Sequence, residues 1–323
     1  MTRTRRGVRM STVATVVLQN LGVAAACWGT GQLGLLAGEI GANISPLWPP
    51  TGVALAAVLV LGRRVLPGVM TSAFFTEIAL VPLAPALAGT AAVTATALAG
   101  FMMLRAVGFR LEIDRFRDAL ALVFLGAFAS TLISSTVGSV MRVWSGLATP
   151  GEYWQIWLVW WTGDTVGILL VTPFLLAIRL WRWPPRLRWY EGVEIAVMLA
   201  ASLVAPLFAL PALDAFYLAF PIIGWAAWRY QLAGVAPCTL IVSVATTNAA
   251  VRMVGPFADQ DVLVRVLSLQ LFNLTLVLGA LLFASAISER NSARFEIERT
   301  CDRLSEVIDH IEETEAGRRR DGA

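Results

Sequence analysis

The sequence predicts an all-α polytopic integral membrane protein, a bundle of about 8–10 transmembrane helices with a short cytoplasmic coiled-coil tail. Hydrophobic residues make up 57% of the 323 residues and charged residues 15%, against about 25% charged residues in soluble proteins. The mean hydropathy is +0.70. The apolar residues are also gathered into long runs, and the composition changes abruptly at Ser288, where Glu, Asp and Arg begin to dominate.

Ten apolar runs are candidate membrane spans, because a transmembrane helix needs about 20 apolar residues. They lie near residues 13–38, 46–62, 67–84, 87–107, 118–141, 153–179, 191–210, 214–229, 232–251 and 262–287. The runs 46–62 and 214–229 are short or interrupted by proline. About eight full spans with re-entrant or broken segments is therefore the alternative.

The placement of arginine predicts the orientation of these spans. All 25 basic residues are arginine, and cytoplasmic loops normally carry the excess of basic residues. With the N-terminus in the cytoplasm, most arginines fall on the inner side, and only Arg142, Arg252 and Arg265 lie near the outer side. We therefore expect an even number of spans and both termini in the cytoplasm.

The composition divides the chain into three parts: a basic cytoplasmic N-terminus (1–12), a multi-span membrane domain (13–287) and a cytoplasmic helical tail (288–323). Apolar residues recur in the tail at alternating spacings of four and three, which is typical of a coiled-coil seam. The seam consists of Ile297, Cys301, Leu304, Ile308 and Ile311. About two heptads are marginal for an isolated helix pair, so we expect a homodimer to which the membrane part contributes.

Two carboxylates are predicted to lie deep in the membrane. Glu77 follows Pro67 by ten residues, about 15 Å along a helix, and Asp164 follows Tyr153 by eleven. An ionised side chain at the centre of a span costs about 2.5–3.5 kcal/mol. Each acid is therefore either a buried hydrogen-bonded tie between helices or a group that senses a ligand or a proton.

Asp164 ends a stripe of tryptophans. Trp154, Trp157, Trp161 and Asp164 are spaced by three, four and three residues, which places them on one helix face. An aromatic funnel that leads to a carboxylate could bind a cationic or polar-aromatic ligand. An aromatic belt at the membrane interface explains Trp154 and Trp157 equally well, but it explains Trp161 and Asp164 poorly.

Two further patterns predict close packing near Asp164. Gly163 and Gly167 form a Gly-x-x-x-Gly pair, which would bring another helix beside the acid. The segment Trp48-Pro49-Pro50 opens the second span, and its prolines cannot donate backbone hydrogen bonds. It is either a rigid turn that starts a helix or the outer wall of the same cavity.

Asn248 and Arg252 are a polar pair near the outer side of the ninth predicted span. They are four residues apart, so they share one helix face. They could pair with Asp164 or with an anionic ligand, or they could form a salt bridge that positions helices.

Signals for catalysis, metal binding, cofactor binding and nucleic-acid binding do not occur in the sequence. Cys27, Cys238 and Cys301 have no close partner, which argues against a disulfide framework and a cysteine zinc site. The one histidine, His310, lies off the seam, and no phosphate-binding glycine loop occurs. The arginines punctuate apolar segments and form no basic surface. We predict that the chain is not an enzyme; an enzyme that uses the two deep carboxylates as acid and base ranks last.

Residues 46–56 and 160–173 resemble the two signatures of the first membrane-associated sensor (MASE) family, and residues 221–230 are also similar to it. The resemblance covers roughly residues 13–287. It implies a multi-span input domain of the bacterial plasma (inner) membrane, found ahead of histidine kinases and diguanylate cyclases. Members usually continue into an output module, whereas this sequence stops at Ala323. We therefore expect the kinase or cyclase partner to be a separate chain.

These features together predict a sensory input domain. It would detect a small-molecule ligand or a membrane state and transmit it through the C-terminal helix. The alternative is a small-solute transporter or the substrate-binding membrane subunit of one, which would use the same deep acids and broken helices. The seam favours the sensor, because a transporter has little need of it.

Overall fold

The computed structural model describes residues 3–36, 46–180, 188–209 and 216–321, with side chains described from Val13 to Glu306 apart from the gaps and their edges. The described chain folds entirely into helices and the turns between them, so the predicted all-α class is confirmed. The helices are α1 (Arg3–Leu36), α2 (Pro49–Leu61), α3 (Leu66–Ile78), α4 (Leu83–Ala106), α5 (Phe116–Ala121), α6 (Ser130–Trp144), α7 (Tyr153–Leu180), α8 (Trp189–Val204), α9 (Ala219–Val251) and α10 (Val262–Asp321). A π-helical segment, Leu122–Ala129, joins α5 to α6 without a break.

Seven of the described helical units are long and apolar enough to cross a bilayer: α1, α4, the α5–α6 unit, α7, α8, α9 and α10. Helices α2 and α3 have 13 residues each, about 20 Å, and are shorter than the hydrocarbon core of about 30 Å. The prediction of a full span over 67–84 was wrong. The α3 helix ends at Ile78, because Pro82 disfavours helical backbone at the residue before it and α4 begins directly after it.

The α9 helix bends sharply at Gln231, whose φ of 46° and ψ of −132° are not helical. A Cβ atom added to Gly234 would lie 2.6 Å from the carbonyl oxygen of Ala226. A straight helix would separate two residues eight apart by about 12 Å. The arms 219–230 and 232–251 therefore fold back on each other, and they correspond to two of the predicted apolar runs. The predicted run ends near residues 38, 210 and 214 lie outside the described residues.

Helix α7 forms the centre of the bundle. Every residue from Thr162 to Pro173 is buried, and α7 packs against α2, α6, α9 and α10. Large apolar side chains from α1, α2, α4, α7 and α10 form the main core. Helices α8, α9 and α10 form a second apolar cluster. A helix that is buried all round must have its polar groups satisfied by its neighbours, which makes α7 the element on which a site can be built.

The start of α2 is seated directly on the backbone of α7. The amide of Trp48 donates to the carbonyl of Gly163 at 3.4 Å, and the hydroxyl of Thr172 donates to the carbonyl of Gly52 at 3.0 Å. A Cβ atom at Gly167 would overlap the carbonyl oxygen of Trp48. The Gly163–Gly167 pair thus allows the two helices to approach until their backbones touch.

A polar layer lies between α10 and the second arm of α9. Apolar contacts flank it, with Val242 and Leu276 in one cluster and Ala250 and Leu269 in another. Between these clusters Asn273 is fully buried, and neither of its side-chain polar atoms has a hydrogen-bond partner among the described residues. A buried polar group without a partner costs free energy.

We predict that Gly167→Ala separates α2 from α7, because the added methyl group has no space beside the Trp48 carbonyl. The free energy of unfolding should fall by about 1–3 kcal/mol, as is usual for overpacking. Thermal unfolding of the purified protein in detergent measures this. Gly279→Ala is the matched control, since a Cβ there meets nothing within 4 Å. Equal melting temperatures for the two variants would contradict the contact.

We also predict that Asn273→Leu raises the free energy of unfolding by about 1–3 kcal/mol, because it replaces two polar atoms, which no described residue satisfies, by apolar ones of similar volume. Asn248→Leu is the control, since Asn248 is exposed on the same pair of helices, and its melting temperature should stay close to wild type. A lower melting temperature for Asn273→Leu would mean that Asn273 makes stabilising hydrogen bonds.

Candidate functional site

Asp164 is the point where three helices meet. Its side chain, in α7, is 2% exposed. The hydroxyl of Thr51, in α2, donates to one carboxylate oxygen at 2.7 Å, and the hydroxyl of Ser134, in α6, donates to the other at 2.6 Å. Short hydrogen bonds to a carboxylate are stronger than those between neutral groups. The acid therefore ties α2 and α6 to α7.

The face of α6 that meets α7 consists of small and hydroxylated residues. Thr131 shares a 3.0 Å hydrogen bond with Thr165, one residue beyond Asp164. Gly138 leaves room for the Trp160 ring, which approaches its backbone directly. Small residues let helices approach closely in a membrane, and hydroxyl groups then supply hydrogen bonds across the contact. The sequence of α6 thus fixes where Ser134 and Arg142 point.

A cavity of about 60 Å³ lies beside Asp164. Its walls come from five helices, from the turn after α3 and from the segment before α2: Leu35, Trp48, Thr76, Glu77, Leu80, Val93, Arg142, Trp160, Gly163 and Asp164. Charged groups from three different helices, Glu77, Arg142 and Asp164, therefore face one small space. We name this space the charged cavity.

Arg142 is held over an indole ring. Its guanidinium carbon lies 5.4 Å from the centre of the Trp160 ring, which is a cation–π distance. Its Nε atom is buried and has no hydrogen-bond partner among the described residues. The sequence placed Arg142 near the outer side and assigned it no role. Its spacing of four and eight residues from Gly138 and Ser134 puts all three on one helix face, and this signal could have identified it.

Glu77 also lines the charged cavity. It is the second-last residue of α3, so it lies at a helix end and not in the middle of a continuous span as the sequence predicted. Its carboxyl group packs against Gly89 of α4, where an added Cβ would lie 3.0 Å from the carboxyl carbon. Glu77 is within electrostatic reach of both Arg142 and Asp164. The two deep acids predicted from the sequence are thus brought to one cavity.

The predicted tryptophan funnel does not line this cavity. Trp157 and Trp161 stack on each other at 5.7 Å and turn toward α6. Their indole N–H groups donate to the Thr136 hydroxyl and to the Phe128 carbonyl, which belongs to the π-helical segment, each at 3.0 Å. Indoles that are partly buried need such acceptors, and α6 and the π-helical segment each supply one. The indoles at the cavity are those of Trp48 and Trp160.

The Trp48-Pro49-Pro50 segment combines both predicted roles. Pro49 and Pro50 are the first two residues of α2, where a missing amide proton costs nothing. Pro50 packs against α1, where an added Cβ at Gly31 would lie 3.3 Å from its ring. Only Trp48 of the three reaches the cavity, so the prolines fix the helix start that positions this indole.

Asn248 and Arg252 are not part of the cavity. Both are exposed, and Arg252 is the C-terminal cap of α9. The partners of Asp164 in the described structure are the hydroxyl groups of Thr51 and Ser134, and neither Asn248 nor Arg252 is among them. The sequence missed Thr51 and Ser134, because serine and threonine are common in membrane helices and their partner lies 113 or 30 residues away.

The predicted seam lies on the C-terminal extension of α10, beyond its apolar part. Ile297 and Leu304 are 64% and 58% exposed, and Cys301 is exposed as well. The side chains of Ile308 and Ile311 lie outside the described residues. The described seam residues therefore form an apolar face that a second helix can cover.

Comparison with known proteins identifies the family but no individual relative. Neither the curated proteins nor the solved structures contain a significant match. The family model MASE1 matches residues 21–291, which include every residue of the charged cavity and the whole membrane part of α10. Domains of this family are multi-pass membrane sensors. The chain belongs to the MASE1 family of membrane sensory input domains.

Proposed function

We propose that the chain detects a small-molecule ligand in the charged cavity and passes the resulting rearrangement through α10 to a separate output partner. The observation that carries the proposal is the continuity of α10. It is one helix of 60 residues, whose first part packs against α7 and α9 and whose later part leaves the bundle with an exposed apolar seam. One rigid element therefore joins the bundle to the tail.

Two contacts connect α10 to the elements that form the cavity. Near its start, the Gln270 amide donates to the carbonyl of Pro46, two residues before the cavity residue Trp48. At the other end of its membrane part, the Glu289 carboxylate accepts a 3.1 Å hydrogen bond from the amide of Phe116. Phe116 starts α5, which continues through the π-helical segment into α6. A shift of α2 or α6 at the cavity can thus reach α10.

A ligand transmits a signal only if it binds one arrangement of the bundle more tightly than another. The π-helical segment Leu122–Ala129 supports a second arrangement, since π-helical turns are rare and often mark functional sites. Conversion of this segment to α-helix would change the rotation of α6 relative to α5. Ser134 and Arg142 would then move relative to the Glu289 contact.

The tail is the surface proposed to reach the partner. Its exposed seam suits a second copy of the chain, a homodimer, or the helix of a separate histidine kinase or cyclase. The arginine distribution supports cytoplasmic placement of both termini, and the family supports the bacterial inner membrane. A short seam suits a switch, because a weak coil changes register easily.

A transporter is the second candidate, because α2 and α3 are too short to span a bilayer and their ends meet at the charged cavity. The exposed extension of α10 favours the sensor, since transport does not require it. Uptake of a solute by vesicles that contain only this protein would support the transporter.

We predict that Cys301 crosslinks two copies in native membranes through a bifunctional maleimide, because it is the one exposed cysteine of the three. Leu304→Asp should reduce the dimer yield at least severalfold, since it places charge in an apolar seam. Arg303→Asp, off the seam, should leave it near wild type. Asp164→Asn keeps the shape of the side chain and should change the yield while the protein still inserts. If Asp164→Asn and wild type give the same yield, the cavity is not coupled to the tail.

A further inference from the structure

Two opposite charges face the charged cavity without forming an ion pair. Glu77 lies on α3 and Arg142 on α6, and among the described side chains neither joins the other, or any other charged group, in a salt bridge. An unpaired charge inside a membrane protein is costly. Because both groups line one cavity and lie too far apart for a direct ion pair, a molecule in the cavity that carries both charges would satisfy both.

The surroundings of Arg142 suit a carboxylate. A guanidinium group presents its donors as a planar fork that matches the two oxygens of a carboxylate. The Trp160 ring, 5.4 Å from the guanidinium carbon, holds the fork in place, and the buried Nε has no hydrogen-bond partner in the described part of the chain. One edge of the fork is therefore positioned and unused.

The surroundings of Glu77 suit an ammonium group. No described donor forms a hydrogen bond with its carboxylate, which packs against the backbone of Gly89. The oxygens of Asp164, by contrast, already accept hydrogen bonds from Thr51 and Ser134. Asp164 thus adds negative potential, while Glu77 has free acceptor positions. A positive group is favoured on this side of the cavity.

The size of the cavity limits the ligand. A volume of about 60 Å³ holds only a few water molecules, so it suits a ligand of a few non-hydrogen atoms better than a sugar, a nucleotide or an aromatic compound. A small anion alone would leave the Glu77 carboxylate without a positive group in contact with it. A small cation alone would leave Arg142 without a negative one.

We infer that the charged cavity binds a small zwitterion of amino-acid type, with its carboxylate on Arg142 and its ammonium group on Glu77. The inference rests on the proposed function, because it takes this cavity as the stimulus site. The indoles of Trp48 and Trp160 belong to the rest of the lining, and the small volume favours a ligand whose side chain is a hydrogen atom or a methyl group.

The test is a binding experiment on the purified full chain. Binding is monitored by intrinsic tryptophan fluorescence and by the change in melting temperature. The probes are glycine and L-alanine, with acetate and methylammonium as matched probes that carry one charge each. Glycine or L-alanine should bind saturably and raise the melting temperature, and each single-charge probe should bind about tenfold or more weakly. Equal binding of acetate, or equal binding of methylammonium, would overturn the inference, as would the absence of binding by both amino acids.

Variants locate the site. Arg142→Gln and Glu77→Gln should each weaken glycine binding about tenfold or more, while Arg252→Gln, an exposed arginine, should leave it unchanged. The melting temperature without ligand shows whether each variant folds. If a variant does not fold, the comparison of the four probes in the wild-type protein still tests the inference. Unchanged binding in both folded cavity variants would overturn the inference.

Crosslinking through Cys301 separates the two proposals. If glycine binds but leaves the dimer yield unchanged, the zwitterion site stands and the signalling proposal fails. If neither amino acid binds while Asp164→Asn still changes the yield, the signalling proposal stands and the zwitterion inference is overturned.

Discussion

An aspartate buried in a membrane bundle needs partners, and in this protein the hydroxyls of Thr51 and Ser134 provide them. Because these hydroxyls belong to α2 and α6, satisfying one carboxylate fixes two helices against α7. The backbone contact at Gly167 requires the same placement of α2. The charged cavity follows from this arrangement, since the ends of helices that are too short to cross the bilayer meet beside the acid.

The hydrogen bonds to Asp164 also connect the cavity to α10 through the helices that they hold. The helix is attached near both ends of its membrane part, through Gln270 to the segment before α2 and through Glu289 to the start of α5. Both attached elements reach Asp164, one directly and the other through the π-helical segment. In the proposed mechanism, a change of partner at this buried carboxylate alters the position of α10, whose seam residues Ile297 and Leu304 are exposed.

Composition and periodicity predicted the class and the Gly-x-x-x-Gly contact, because these depend on patterns within one segment. They did not predict that α3 stops at Ile78 or that Arg142 reaches the cavity. Those features depend on which distant helices become neighbours, and a single sequence does not encode that as a local pattern. The tryptophan stripe was assigned to the wrong surface for the same reason. Residue spacing shows which side chains share a helix face, but it does not show which helix packs against that face.

Hydrogen exchange measured by mass spectrometry tests the central claim that the ties to Asp164 control the position of α10. The comparison is between wild type and the double variant Thr51→Val, Ser134→Ala, which removes both donors while keeping side chains of similar size. The account predicts faster exchange in the first turns of α2 and in α6, and also in α10 around Glu289 and beyond Ile287. Faster exchange confined to α2 and α6, with α10 unchanged, would contradict it.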